Sequence, residues 1–175
     1  AYPVYLDSYG SRHDRVAALL VQKGSLSTIA GDLSAAEENY LKAKDIYESL
    51  HGRQDKNVSL VWNNLAALYD KQGRAACSEK AYLQALSIYR ALYGQKHPAI
   101  AAVLNNLGTL YFGMSDWKRA SACYEQALNM RRTLFGDHNK NTAASWGHLG
   151  LVYGELGEFS LAERCCRREL ETVHE

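Results

Sequence analysis

The chain has 175 residues and a formal net charge of +1, with 20 Lys and Arg against 19 Asp and Glu. That balance offers no electrostatic footprint for nucleic acid. No apolar run is long enough to cross a bilayer, and residues 1–9 lack the basic start and apolar core of a signal peptide.

In chain order, residues 1–10 read as an N-terminal arm or the remnant of a preceding repeat. Val4 and Tyr5 align with Ile88 and Tyr89, but Ser8 falls where Leu50, Leu92 and Leu134 stand, and Pro3 interrupts a helix interior. Residues 11–52 carry a helix over Asp14 to Ala30 and a second from Asp32, with Ala36, Tyr40, Ala43, Ile46 and Leu50 on one face. Lys23 stands where Leu65, Leu107 and Leu149 stand. An outer repeat with its open face in water accounts for that, so Lys23 is expected to be exposed.

Residues 53–94 repeat the pattern. Asp55 caps a helix whose core stripe is Trp62, Leu65 and Tyr69, and Ser78, Tyr82, Ala85 and Leu86 mark its partner. In residues 95–136, Pro98 suits a first helical turn, and Val103, Leu104, Leu107, Leu110 and Tyr111 form the stripe. Gly108 inside it implies a second element packed close. The Ser115-Asp116 pair ends that helix and caps the next, whose face is Trp117, Ala120, Tyr124, Ala127, Leu128 and Leu134. Gly136 is expected to close it in the left-handed conformation. Residues 137–175 keep Trp146, Leu149, Gly150 and Tyr153, then depart: Cys166 replaces the tyrosine and Glu169 the alanine. A charge at that position predicts that stacking ends there, with Glu169 exposed.

Gly10, Gly52, Gly94 and Gly136 lie 42 residues apart, as do Gly31, Gly73, Ser115 and Gly157. A self-similar period of this length means an array of supersecondary units with a shared core. The inner pattern is Leu or Trp, Leu-Gly or Leu-Ala, then Tyr, followed by Ala, Tyr and Ala-Leu. It resembles the tetratricopeptide repeat, whose basic unit has about 34 residues. The longer unit, with its His-Pro opening, Leu-Asn-Asn-Leu centre and Leu-Phe-Gly close, is similar to kinesin light chain and its relatives. The resemblance covers residues 11–175. It implies an all-α, right-handed α-solenoid of four antiparallel helix pairs (11–52, 53–94, 95–136 and 137–175) with first helices on the inner surface.

Enzyme signatures are missing: there is no glycine-rich phosphate loop, HExxH or GxSxG, so no catalysis and no cofactor are expected. His13 and His97 hold equivalent places and read as turn residues. Cys77, Cys123, Cys165 and Cys166 form no CxxC pair. Cys123 and Cys165 stand one repeat apart, about 8–10 Å across packed helices, too far for a disulfide. Reduced thiols suit a cytoplasmic protein. Vicinal Cys165-Cys166 could bind a soft metal or switch with redox state, but no converging ligands accompany it.

The informative residues are carboxamides. Asn63-Asn64 and Asn105-Asn106 sit mid-helix, 42 residues apart, each costing roughly half a kcal/mol against Ala. A carboxamide pairs with both N–H and C=O of an extended peptide. The resemblance implies this use for Asn64 and Asn106, with His148 and Gln22 in the same place in the outer units. Asn63 and Asn105 could serve likewise, or could bridge neighbouring repeats. Lys71, Thr109 and Phe112 follow on the inner surface and would set specificity. A chaperone-type carboxylate clamp does not fit, since its cation positions hold Val21, Ser25 and Ala102. Kinesin light chains take acidic peptides with inner basic residues, but Lys71 is followed at the equivalent positions by Gly113 and Glu155. The expected function is therefore a non-catalytic adaptor for a protein or peptide partner, cargo reception of the kinesin kind being its sharpest version. Alternatives are a scaffold that self-associates through its outer face or open ends, the N-terminal arm or terminal helix included, and a sensor domain of a larger signalling ATPase.

Overall fold

The computed structural model describes residues 13–173; the expectations for residues 1–10 fall outside them. Among the described residues there are eight helices and no strand: α1 (Asp14–Ala30), α2 (Leu33–His51), α3 (Lys56–Lys71), α4 (Ala75–Tyr93), α5 (Pro98–Gly113), α6 (Trp117–Phe135), α7 (Lys140–Glu155) and α8 (Phe159–Val173). The fold is all-α, as the periodicity required. The chain forms two compact units, Ala1–Leu92 and Tyr93–Glu175.

Local chemistry sets the helix bounds. The first helix of every repeat is capped at one register position: His13, Asp55, His97 and Asn139 each accept a hydrogen bond from the backbone N–H two residues on. This satisfies one of the orphan donors of a helix start. The two histidines are thus caps, with Nδ1 as acceptor at 3.1 Å for His13 and 3.2 Å for His97. Asp32 and Asp116 cap α2 and α6 by accepting from Ala35 and Arg119 N–H, each at 3.0 Å. Inside each repeat the turn passes through one residue of positive φ: Gly31, Gly73, Gly157 and, in the third repeat, Ser115 at φ 58°. Gly136 differs from expectation. Its φ of 81° is positive, but ψ is 178°, so the chain leaves α6 extended, in a region open essentially to glycine.

In the first unit α1 packs on α2 and α2 on α3. Val16, Leu20, Tyr40, Val58, Leu65, Leu68 and Ile88 are buried. Ser59 is buried and donates its hydroxyl to the Ala85 carbonyl at 2.8 Å, joining α3 to α4. An Arg74–Glu37 ion pair at 3.0 Å and a Gln72–Glu37 bond at 3.1 Å tie the α3–α4 turn to α2. Trp62, expected in the core, is half-buried beneath the Lys44 ammonium, 5.2 Å from its ring centre. In the second unit α6 packs on α5, α7 on α6 and α8 on α7. The small residues allow this: Ala120 and Ala127 are fully buried, and the Tyr124 ring lies where a Cβ on Gly108 would come within 2.8 Å of it.

Two further expectations need correction. Leu50 and Leu134, assigned to packed faces, and their equivalent Leu92 lie in the last turns of second helices and are 42%, 36% and 41% exposed. Glu169 is half-buried where Lys23 is exposed, because its carboxylate folds back over Gly147, occupying the place of that residue's missing side chain.

Candidate functional site

The expected contact residues lie on the first helices at a common register. Asn64 on α3, Asn106 on α5 and His148 on α7 are half-buried; Gln22 on α1 is exposed. They flank the core stripe, since Leu65, Leu107 and Leu149 follow each of the last three and are buried. The Asn64 carboxamide makes no hydrogen bond among the described residues, although it sits in a helix interior where Asn is a poor choice. Lys71 and Thr109 are exposed, and Phe112 is half-buried against Trp117 at 4.9 Å between ring centres. Asn63 is half-buried beside Asn64. Tyr69 and Tyr111 are buried core residues.

Asn105 has a different setting. Its carboxamide oxygen accepts from Arg131 Nη1 at 3.3 Å and faces His148 Nδ1 at 3.0 Å. The arginine can only donate, which fixes the amide orientation, so His148 carries its proton on Nδ1 and leaves Nε2 as an acceptor. Arg131 Nη1 also donates to the Asn141 carbonyl at 2.9 Å and Ser145 Oγ at 2.6 Å. The network thus joins α5, α6 and α7. The His148 ring stacks on Tyr124, centroids 4.9 Å apart, and the Tyr124 hydroxyl bonds Thr109 at 3.0 Å. Burial, and next to it the Arg131 charge, hold the His148 pKa below the ordinary histidine value, so the ring is neutral near pH 7; Glu169 acts weakly the other way. Burial also lowers the Arg131 pKa, which leaves a guanidinium charged at any working pH. Arg131 went unnoticed in the sequence, although it stands at the register position of Tyr47 and Tyr89.

The two sides of α7 differ. Residues 146 and 148 point about 200° apart on a helix. Around Trp146 a cavity of about 220 Å3 is lined by Arg132, Arg164 and Arg168, where Arg132 pairs with Asp137 and Arg168 with Glu171. On the His148 side, Gly147, Gly150, Leu151, Cys166 and Glu169 line a second cavity of about 370 Å3. No group of three or more metal-ligating side chains occurs among the described residues. Cys165 is buried, and burial pushes its thiol pKa up, making it a poor nucleophile. No described helix is long and apolar enough to cross a membrane.

A tetratricopeptide repeat family model matches the chain at residues 15–91, 57–133 and 100–172. No curated protein matches it in sequence. Among solved structures, it is similar to BtubC (BKLC) from P. vanneervenii, with 28% identity and a TM-score of 0.84 over 90% of this chain. It spans 63% of that protein's length, less than two thirds. It is also similar in fold to the nearly identical repeats of a Podospora anserina putative kinesin light chain (16% identity, TM-score 0.79, 98% of this chain and 82% of that one). MamA is a third (17% identity, TM-score 0.69, 99% and 85%).

Proposed function

Because the chain belongs to the tetratricopeptide repeat family, whose members are typically protein-interaction scaffolds, we propose that it is a non-catalytic adaptor holding an extended segment of a partner protein against its first helices. The observation that carries this reading is Asn64. Its half-buried carboxamide costs helix propensity and makes no bond among the described residues, so the offset comes from outside the fold. Gln22 supplies a second polar rung in the first unit, and Asn106 and His148 supply two in the second. Within each unit, stacked first helices stand about 10 Å apart, close to the rise of about three extended residues. A peptide backbone running across them meets a donor-acceptor side chain at each crossing. His148 offers Nε2 to a peptide N–H. Lys71, Thr109 and Phe112 contact side chains of the segment, as does Asn63, while Asn105 serves the repeat junction. Cargo reception of the kinesin-light-chain kind, in the cytoplasm, is the most specific form of this reading, and the 42-residue unit supports it.

The test is binding of a peptide first mapped by pull-down with the intact chain and then synthesised. Changing both Asn64 and Asn106 to Ala removes hydrogen bonds worth roughly 0.5–1.5 kcal/mol each, so affinity drops about tenfold or more. Equal affinity of the double variant overturns the reading.

A self-associating scaffold is favoured by one observation. Leu170 on α8 is 60% exposed, whereas its equivalents Leu86 and Leu128 are 5% and 4% exposed. A concentration-dependent dimer in light scattering that Leu170→Glu abolishes supports that reading; a monomer at all concentrations removes it.

A further inference from the structure

The fourth repeat departs from the others at linked positions around one cavity. In the first and third repeats a second-helix tyrosine covers a first-helix glycine: a Cβ added at Gly24 would lie 2.7 Å from the Tyr40 ring, and one added at Gly108 2.8 Å from the Tyr124 ring. The phenol of each bonds the hydroxyl of the residue after that glycine, Ser25 or Thr109, both at 3.0 Å. In the fourth repeat the tyrosine is Cys166 and the hydroxyl residue is Leu151. A Cβ on Gly150 would meet Cys166 Sγ at 3.3 Å and Cys165 Cβ at 3.4 Å as its nearest side-chain atoms, so no ring fills that space.

A second exchange supplies charge. The position of Asn63 and Asn105 is Gly147, and the position of Ala85 and Ala127 is Glu169. The Glu169 carboxylate oxygens fill the notch, 2.6 and 2.8 Å from where a Gly147 Cβ would be. Half-buried, Glu169 makes no hydrogen bond or ion pair among the described residues. The cavity, about 370 Å3, therefore has apolar walls of Gly147, Gly150, Leu151 and Cys166 with one carboxylate on its rim. His148, beside it, is neutral and brings no competing positive charge.

We propose that this cavity receives a basic side chain, lysine or arginine, from the bound partner segment. The methylene stem lies on Leu151 and the glycine faces while the cationic head pairs with Glu169, which suits amphipathic cations. A partly buried carboxylate without a partner gains by such pairing. The proposal rests on the reading that a partner lies along the first helices, yet the cavity can be probed alone.

The intact chain, labelled with nitrogen-15, is titrated with Nα-acetyl-arginine amide, and the Gly147 and Gly150 amide resonances are followed. Parallel titrations use the norleucine and tyrosine amides. The arginine probe should shift both glycines saturably in the millimolar range and the norleucine probe should not. Glu169→Gln should weaken the arginine probe by about fivefold, the scale of one partly screened ion pair. Cys166→Tyr, its folding checked by thermal melting, should abolish binding. If that variant misfolds, Glu169→Gln decides. The Asn64→Ala/Asn106→Ala variant should bind the arginine probe unchanged, so loss of partner binding there and loss of probe binding at Glu169 are separate results. Unshifted glycines, equal binding of the norleucine or tyrosine probe, or undiminished arginine binding by Glu169→Gln would each overturn the assignment.

Discussion

Asn105→Ala and Asn64→Ala should change stability in opposite directions although the residues look alike in sequence. Asn105 accepts from Arg131 at 3.3 Å and from His148 at 3.0 Å. Alanine removes both bonds, at roughly 0.5–1.5 kcal/mol each, and leaves a half-buried imidazole N–H unpaired. Arg131 keeps Asn141 and Ser145, which limits the damage. The gain in helix propensity returns about 0.5 kcal/mol. The net expectation is a loss of about 1–2 kcal/mol, or several degrees of melting temperature. Asn64→Ala breaks no bond among the described residues and should gain about 0.5 kcal/mol. Urea denaturation followed by tryptophan fluorescence separates the cases. For Asn105→Ala a Trp62→Phe background leaves Trp117 and Trp146, both in the second unit, and for Asn64→Ala a Trp117→Phe/Trp146→Phe background leaves Trp62 in the first. An Asn105→Ala midpoint at or above that of the parent would refute the junction role. A comparable loss for Asn64→Ala would refute its assignment to the partner.

Three further expectations concern stability. Gly108→Ala should destabilise by about 1–2 kcal/mol despite better helix propensity, because its Cβ meets a Tyr124 ring held by Thr109 and His148; Gly154→Ala, with nothing within 4 Å, should instead gain about 0.5–1 kcal/mol, both read from denaturant midpoints. Ser115→Gly should raise the melting temperature, since a non-glycine at φ 58° carries about 1 kcal/mol of strain. His148 has a folded pKa below its ordinary 6.5, so the unfolded chain takes up that proton first as pH falls; stability should drop below about pH 6.5, and His148→Gln should flatten that acid limb in melts recorded from neutral to mildly acidic pH. His51 opposes it: its hydrogen bond to Asp14 raises its pKa, so its contribution is present below pH 6.5 and is lost as pH rises through the raised value, and it remains in both chains of the comparison.

The architecture was legible because it is written four times. The period located every turn, and Asp55, Asp116 and Pro98 sit where helix-start chemistry requires them. The histidine caps were harder to read, since imidazole is an uncommon acceptor at that position; their shared register with Asp55 and Asn139 was the available signal. The asparagine pairs were visible as a cost to the helix, but not the division between them. That depends on Arg131, a long side chain from another helix whose reach is a tertiary property. The half-burial of Glu169 was hidden for a related reason. A charge in place of Ala127 reads as an open end until the simultaneous loss of a side chain at Gly147 is paired with it.

That pairing shows how a repeat array changes its surface chemistry without losing its fold. Stacking requires only that each crossing be filled, and the filling atoms can come from either helix. At Asn105/Ala127 the first helix supplies them, as a carboxamide spent on the junction with the next repeat. At Gly147/Glu169 the second helix supplies them, as a carboxylate with no internal partner among the described residues. The volume is comparable, while donor, charge and exposure all change. The same exchange operates at Tyr124/Thr109 and Cys166/Leu151, where a ring and its hydroxyl partner give way to a thiol and an aliphatic wall. Each of the paired substitutions alone would be costly: Gly147 would leave a gap, and Glu169 would strike an asparagine. Made together they leave Leu149 and Val152 fully buried and convert one repeat's inner face from neutral to acidic. Restoring a single member should therefore cost more stability than restoring both. Gly147→Asn alone forces the Glu169 carboxylate out of its notch, and Glu169→Ala alone exposes the glycine backbone. The double change recreates the arrangement of the third repeat. A double-mutant cycle on urea midpoints should give a favourable coupling of about 0.5–3 kcal/mol, and additive effects would show that the two positions vary independently.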